Sequence, residues 1–263
     1  MNVFWHELRM RRKSTLVWSI AMVIFAVMCM AKFETITTSG GAAVKEILAS
    51  FPSTVQVLFG MNGLDLTTVA GYFGVCFVFV GVILAIHGGL LGTSLLADEE
   101  QDHTTEFLYV KPRGRAAIVT SKLLAGLVCA VGVWAATTFG FALTIKKFAP
   151  HSGFAHDFIL FILAALIIQL FFLALGSLAA AIGHSASRIV PIAVFASYLL
   201  YVFAKMSAMF TWLHYGSIFS YFDARDIITT HALKLHYVAL CLLAIAVWTL
   251  ATLILYRRRD LHA

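Results

Sequence analysis

Six long apolar runs decide what this chain can become. They cover residues 14–33, 69–97, 116–145, 157–183, 189–209 and 237–256. A helix needs about twenty apolar residues to cross a bilayer core, and a soluble domain has no use for so many runs of that length. In lipid every backbone N–H and C=O must find its partner within the segment, so the runs predict helices and not open strands. The second, third and fourth runs exceed the minimum, and tilt or extension beyond the bilayer absorbs the excess. Composition agrees, with 61% hydrophobic and 12% charged residues, against about a quarter charged in a typical soluble domain. The first run is longer than a signal-peptide core and lacks a small-residue cleavage site, so it predicts a retained first span.

Basic residues set the expected orientation. Placing the N-terminus inside puts twelve of the nineteen lysines and arginines on the cytoplasmic side, among them Arg9, Arg11, Arg12, Lys13, Lys111, Arg113, Arg115 and Arg257 to Arg259. Both termini are then cytoplasmic, as an even number of spans requires. The formal charge of +6 is accounted for by anionic headgroups beside these clusters, each worth about 1 kcal/mol per residue, without any nucleic acid. Cys29, Cys76, Cys129 and Cys241 all lie in apolar runs, with no CxxC spacing and no histidine at ligand spacing. They predict packed thiols and neither a disulfide framework nor a metal site.

The segments between the runs carry more information. Residues 1–13 place Val3, Phe4, Trp5, Leu8 and Met10 among polar and basic residues including Arg12. Helical spacing gives one apolar and one charged face, the pattern of an amphipathic helix lying in the interface. In 34–68, Val44, Ile47, Leu48 and Phe51 share one helical face before Pro52 and the Gly60 to Gly63 region break it. This reads as a short helix on the outer surface, either covering the mouth of a pathway or packing as a plain loop. In 210–236, Asp223, Arg225 and Asp226 are expected to pair with one another, a structural role worth roughly 0 to 1 kcal/mol at a surface.

The loop 98–115 is the most charge-dense stretch. Glu99, Glu100, Asp102 and Glu106 come early, then Phe107, Leu108 and Tyr109, then Pro112 and a basic end. Acids first and bases last suit the dipole of one short helix, which Thr104 or Thr105 would cap. An apolar patch on a charged, membrane-proximal helix points to docking on a protein partner.

Several chemistries are missing. No G-x-x-x-x-G-K-[ST] element occurs, and the nearest string, Gly88 to Ser94, lacks the lysine and lies inside a span. No H-E-x-x-H occurs either. Within the spans the polar residues singled out are His87, Gln169, Thr137 and Thr138. His87 fits a hydrogen bond to a neighbouring helix, and equally, with Gln169, the lining of a pathway. Gly88 and Gly92 form a small-xxx-small pair suited to close helix approach.

Taken in order, several segments resemble the ABC-2 type permease family. They are His6-Glu7-Leu8 with Arg12-Lys13-Ser14-Thr15-Leu16 and Trp18-Ser19, then Glu99-Glu100 with Thr105-Glu106-Phe107-Leu108, Lys111-Pro112, Arg115 and Ser121-Lys122-Leu123-Leu124. Tyr221 to Ile228 resembles the pattern before the last span, and Arg257-Arg258-Arg259-Asp260-Leu261 the usual ending. His103-Thr104 departs from the family, which often has Lys or Gly before the Thr.

The resemblance implies an all-α membrane protein with the ABC-2, type V exporter-like permease fold: six transmembrane helices behind an N-terminal amphipathic interfacial helix. It implies a multi-pass subunit of a bacterial plasma membrane, paired with a second permease copy or a paralogue and served by two copies of a cytoplasmic ABC ATPase. ATP and Mg would sit on that ATPase, and this chain would bind no cofactor. Residues 104–109 would form the coupling helix, with Glu99, Glu100 and Asp102 beside it, and Phe4, Trp5, Leu8 and Arg12 would belong to the elbow. Cargo would be an amphipathic or hydrophobic peptide, toxin, antibiotic or lipid, with peptide or toxin exporters of Gram-positive bacteria closest in pattern. An intramembrane enzyme and a non-transporting sensor or scaffold are the alternatives; the first would need polar groups converging within the bilayer.

Overall fold

The computed structural model describes residues 3–38, 50–101, 115–150, 153–183, 186–206 and 208–258. Among these there is no strand, and six helices are long and apolar enough to cross a membrane. The spanning helices are α1 (Val3–Thr38), α3 (Val69–Gln101), α4 (Arg115–Phe148), α5 (Ala155–Ile182), α6 (Ala186–Met206) and α9 (Leu235–Arg258). Short helices α2 (Ser53–Leu58), α7 (Ile218–Tyr221) and α8 (Ala224–Thr230), with a 3₁₀ segment at Ala208–Gly216, lie between them. The expected helix at Val44 to Phe51 falls almost wholly outside the described residues. Gly60 and Gly63, at φ of 67° and 74°, end α2 and turn the chain back, conformations that L side chains rarely adopt.

The helices alternate in direction. One end of the bundle therefore carries the start of α1, the end of α3, the start of α4 and the end of α9. The other end carries α2, α7 and α8. We call the first the loop end, because segment 98–115 leaves from it, and the second the far end.

The sequence reading separates an interfacial helix over 1–13 from the first span, and the structure corrects this. One helix of 36 residues runs unbroken from Val3 to Thr38. The run contains neither Gly nor Pro, so nothing ends the ladder at residue 13. Trp5 and Met10 are exposed, while Leu8 packs towards Leu91, Cys129, Ala130 and Leu173. Further along, Leu16, Val17, Ile20, Ile24, Val27 and Met28 face outward, and Met22, Ala26, Met30 and Phe33 face inward. An apolar exposed stripe on a buried-faced helix is what lipid allows and water does not.

α3 packs most extensively on α5, and α1 on α4, while α9 leans on α5 and α6 on α3. The α3–α5 contact is made through glycine. A Cβ added at Gly88 would stand 2.2 Å from the Gln169 carbonyl oxygen, one at Gly92 2.2 Å from Leu173 O, and one at Gly176 2.3 Å from Gly89 O. The small-xxx-small pair is therefore a helix contact, completed by Gly176 on the opposing helix. Nearer the far end, Phe73 is ringed by Phe141, Phe154, Phe158 and Phe161 at centroid distances of 5.1 to 5.5 Å. Such edge-to-face and tilted contacts add about 0.5–1.5 kcal/mol per pair beyond area. Helix α6 ends at Met206, short of the predicted 209, where the chain tightens into the 3₁₀ segment.

Because the atoms met at the α3–α5 seam are backbone, no rotamer change relieves a clash there. Gly92→Ala and Gly176→Ala should each cost on the order of 1–3 kcal/mol and lower the thermal midpoint in detergent. At Gly132 the nearest atom to a new Cβ is 3.8 Å away. Gly132→Ala should hold the midpoint or raise it, and equal losses at all three positions would refute the glycine contact.

Candidate functional site

The loop end holds a buried set of charges built from three helices. Helix α1 contributes Glu7 and Arg11 one turn apart, α3 contributes Ser94 and the Leu95 carbonyl, and α4 contributes Lys122. Glu7 is 5% exposed and Lys122 1% exposed. Lys122 Nζ lies 3.4 Å from Glu7 Oε1 and donates to Leu95 O at 2.9 Å. Arg11 Nε lies 3.3 Å from Glu7 Oε2, and its Nη2 donates to Ser94 O at 2.9 Å. A further Arg11 N–H reaches Ser94 Oγ. Two cations thus share one carboxylate and two carbonyls of α3.

This polar clasp joins the start of α1 to the two helices that flank segment 98–115. It joins residues from two segments that carry the family resemblance, Glu7 of the first and Lys122 of the loop segment. The expected site residues around it are partly in view. Phe4 is half-buried, Trp5 and Arg12 are exposed, and Leu8 is half-buried against the core. Glu99 and Glu100 lie on the last turns of α3. Asp102, Thr104, Thr105, Glu106, Phe107, Leu108 and Tyr109 lie outside the described residues.

His87 and Gln169 are brought together. Gln169 Nε2 stands 2.9 Å from His87 Nδ1 and donates to Ala130 O at 3.1 Å. The amide nitrogen carries only donors, so Nδ1 is the acceptor. Trp18 packs edge-on to the His87 ring at 5.1 Å. Residues of α1, α3, α4 and α5 therefore meet at one buried point, with His87 4% and Gln169 0% exposed. Gln169 Oε1 has no partner among the described residues. Thr137 and Thr138 donate to the carbonyls of Val133 and Trp134, each four residues back in α4, at 2.8 and 2.9 Å. These hydroxyls are satisfied locally.

At the far end the expected mutual pairing of Asp223, Arg225 and Asp226 is corrected. Asp223 is buried and caps α8, accepting from the Arg225 and Asp226 backbone N–H groups at 3.1 and 3.4 Å. It also accepts from Tyr201 OH at 3.0 Å and pairs with Lys205. Asp226 instead takes Lys234 at 2.6 Å, and this bond raises the lysine pKa above its ordinary value. An N-cap carboxylate points back at its own helix, which turns it away from charges on that helix. Lys205, Asp223, Arg225, Asp226 and Tyr237 line an open cavity of about 490 Å³ together with His214, whose pKa burial lowers.

Six long apolar helices with lipid-compatible outer faces define a polytopic helical membrane protein. The match to known families makes this specific. A family model described as ABC-2 family transporter protein matches residues 1–261, and the chain belongs to that family. No curated protein matches the chain. Family membership makes the chain a membrane permease of an ABC transporter that works with an ABC ATPase and is not itself that ATPase.

Sequence reasoning missed the clasp. Lys122, the seventh residue of the third apolar run, reads as one of the cytoplasmic-side charges, yet an ionisable side chain inside a run calls for a partner. Removing Lys122 takes the cation from Glu7 Oε1 and the donor from Leu95 O, and leaves Arg11 as the carboxylate's remaining partner. Lys122→Ala should cost about 3–5 kcal/mol, and the double variant Glu7→Gln/Lys122→Met should cost less than that single change. Detergent unfolding midpoints of both variants test this, and a double variant worse than the single would argue against the pair.

Proposed function

We propose that this chain is the permease of an ATP-driven exporter that moves an amphipathic or hydrophobic cargo, with a peptide or toxin as the leading class. The observation that carries this reading is the clasp. Glu7, Arg11 and Lys122 make the start of α1, the end of α3 and the start of α4 one mechanical unit beside segment 98–115. A push on that segment then moves helices in the membrane and not merely a loop.

In this reading residues 104–109 form the coupling helix, flanked by Glu99, Glu100 and Asp102, and the exposed Trp5 and Arg12 lie where the ATPase approaches. Two ATPase copies hold ATP and Mg, and this chain binds neither. Two permeases, identical or paralogous, face one another in a bacterial plasma membrane with their termini in the cytoplasm. Closure of the ATPase pair moves them as rigid bodies. A hydrophobic cargo suits the surface: α9 presents Leu240, Leu243, Val247, Leu250 and Ile254 outward, a wall with no charge to hold a polar solute. His87 and Gln169, buried inside one chain, serve to hold four helices together and do not line the route.

The test is a mild-detergent purification of the tagged chain from its native host, with identification of what accompanies it. A P-loop ATPase in near-equal amount supports the reading, and its absence under several detergents removes it. Phe107→Asp/Leu108→Asp should abolish ATPase co-purification while insertion of the permease persists, and undiminished binding would exclude this segment as the coupling helix.

A further inference from the structure

The far end carries a group of side chains with no part in coupling. His156 and Asp157 open α5, and His231 ends α8 at a sequence separation of 74 from Asp157. His231 Nδ1 stands 2.7 Å from Asp157 Oδ1, and His156 Nδ1 stands 3.5 Å from the same oxygen. One ligand atom from each residue lies within 4.8 Å of the other two. Asp157 is 7% exposed, while both imidazoles are open to solvent. The fold thus fixes the carboxylate, and the rings reach it from the solvent side.

The backbone supports the same arrangement. Among the described residues, His231 alone has a positive φ without being glycine, at 48°. It closes α8 as a left-handed cap, its N–H donating to Ile227 O at 2.9 Å. That conformation costs a non-glycine residue roughly 1 kcal/mol or more, so a smaller or more flexible residue would be the ordinary choice for the cap.

We propose that His156, Asp157 and His231 form a binding site for a divalent transition-metal ion of the zinc type, joining the start of α5 to the end of α8. Two imidazoles and one carboxylate make a nitrogen-rich donor set that suits zinc, and calcium or magnesium would require more oxygen ligands. Bonds of about 2.0–2.1 Å in a tetrahedron place ligand atoms roughly 3.3 Å apart. The His156–Asp157 separation of 3.5 Å is already close to that edge, and the 2.7 Å His231–Asp157 contact needs only a small opening. Solvent takes the fourth position. Without the ion, the His231–Asp157 hydrogen bond keeps the ligands assembled, so a site exists before the metal arrives. Charge transfer plays no part, because the ion acts here as a structural clip.

The experiment uses the full chain, purified in mild detergent with a histidine-free tag and stripped with EDTA. Zinc chloride is titrated by calorimetry, and unfolding is followed with and without it. The expected result is one zinc ion per chain and a higher unfolding midpoint, with no comparable effect of calcium or magnesium. His156→Gln/His231→Gln should weaken binding roughly 100-fold and remove the midpoint shift. His236→Ala, an exposed histidine outside the trio, should bind zinc as the parent does. No zinc binding by the parent chain would overturn the proposal, leaving a hydrogen-bonded pair alone. Undiminished binding by the double variant, or calcium binding as tight as zinc, would overturn it equally.

Discussion

Where α3 meets α5, Gly88, Gly92 and Gly176 leave no side chain between the two backbones, and the other helices are arranged around that contact. Lipid tails are as apolar as leucine, so helices in a membrane gain little from mutual burial and must associate by density of packing and by polar contacts. Each glycine in a helix interior forfeits about 1 kcal/mol of helix propensity in exchange for that approach. The seam also brings α3 near enough for His87 to meet Gln169, since the neighbouring Gly88 lies directly against the Gln169 carbonyl. The polar contact of four helices is thus a dependent of the glycine contact.

The loop end follows a different physics. Its clasp places a carboxylate, a guanidinium and an ammonium where water is largely excluded, an arrangement whose value lies more in geometry than in net stability. Removing charges from water is costly, but once paired they hold only one mutual orientation. Under the proposed function, in which an ATPase acts on segment 98–115, such rigidity matters more than extra stability. The apolar contacts of Leu95, Leu96 and Val119 with Ala180, Ala181 and Tyr256 tie α5 and α9 into the same end.

Much of this was legible from residues alone, for identifiable reasons. A twenty-residue apolar run has one solution in lipid, so the six runs reappear as six helices long and apolar enough to cross a membrane, and α1 reaches furthest beyond its run. There the flank at 1–13 reads as amphipathic, but an unbroken ladder and the clasp of Glu7 and Arg11 fuse it to the span. Lys122 was hidden by charge counting, which treats every lysine near a run as a headgroup neighbour. Asp223 was assigned neighbours on its own segment, whereas its partners Tyr201 and Lys205 come from α6. The trio of His156, Asp157 and His231 was out of reach, because a ligand pattern is read along the chain and theirs exists only across it.

The unbroken α1 has one more implication. At 1.5 Å of rise per residue, its 36 residues make a rod about 54 Å long. A rod turns about a pivot, and Trp18, packed on His87, is near its middle. A tilt of about 5° about such a pivot displaces each tip by roughly 2 to 3 Å in opposite senses. A hinged elbow would have absorbed that rotation at residue 13. The single rod has no such joint, so any tilt of the clasped ends of α1, α3 and α4 must also carry Phe33 and Ile36 at the other end of α1.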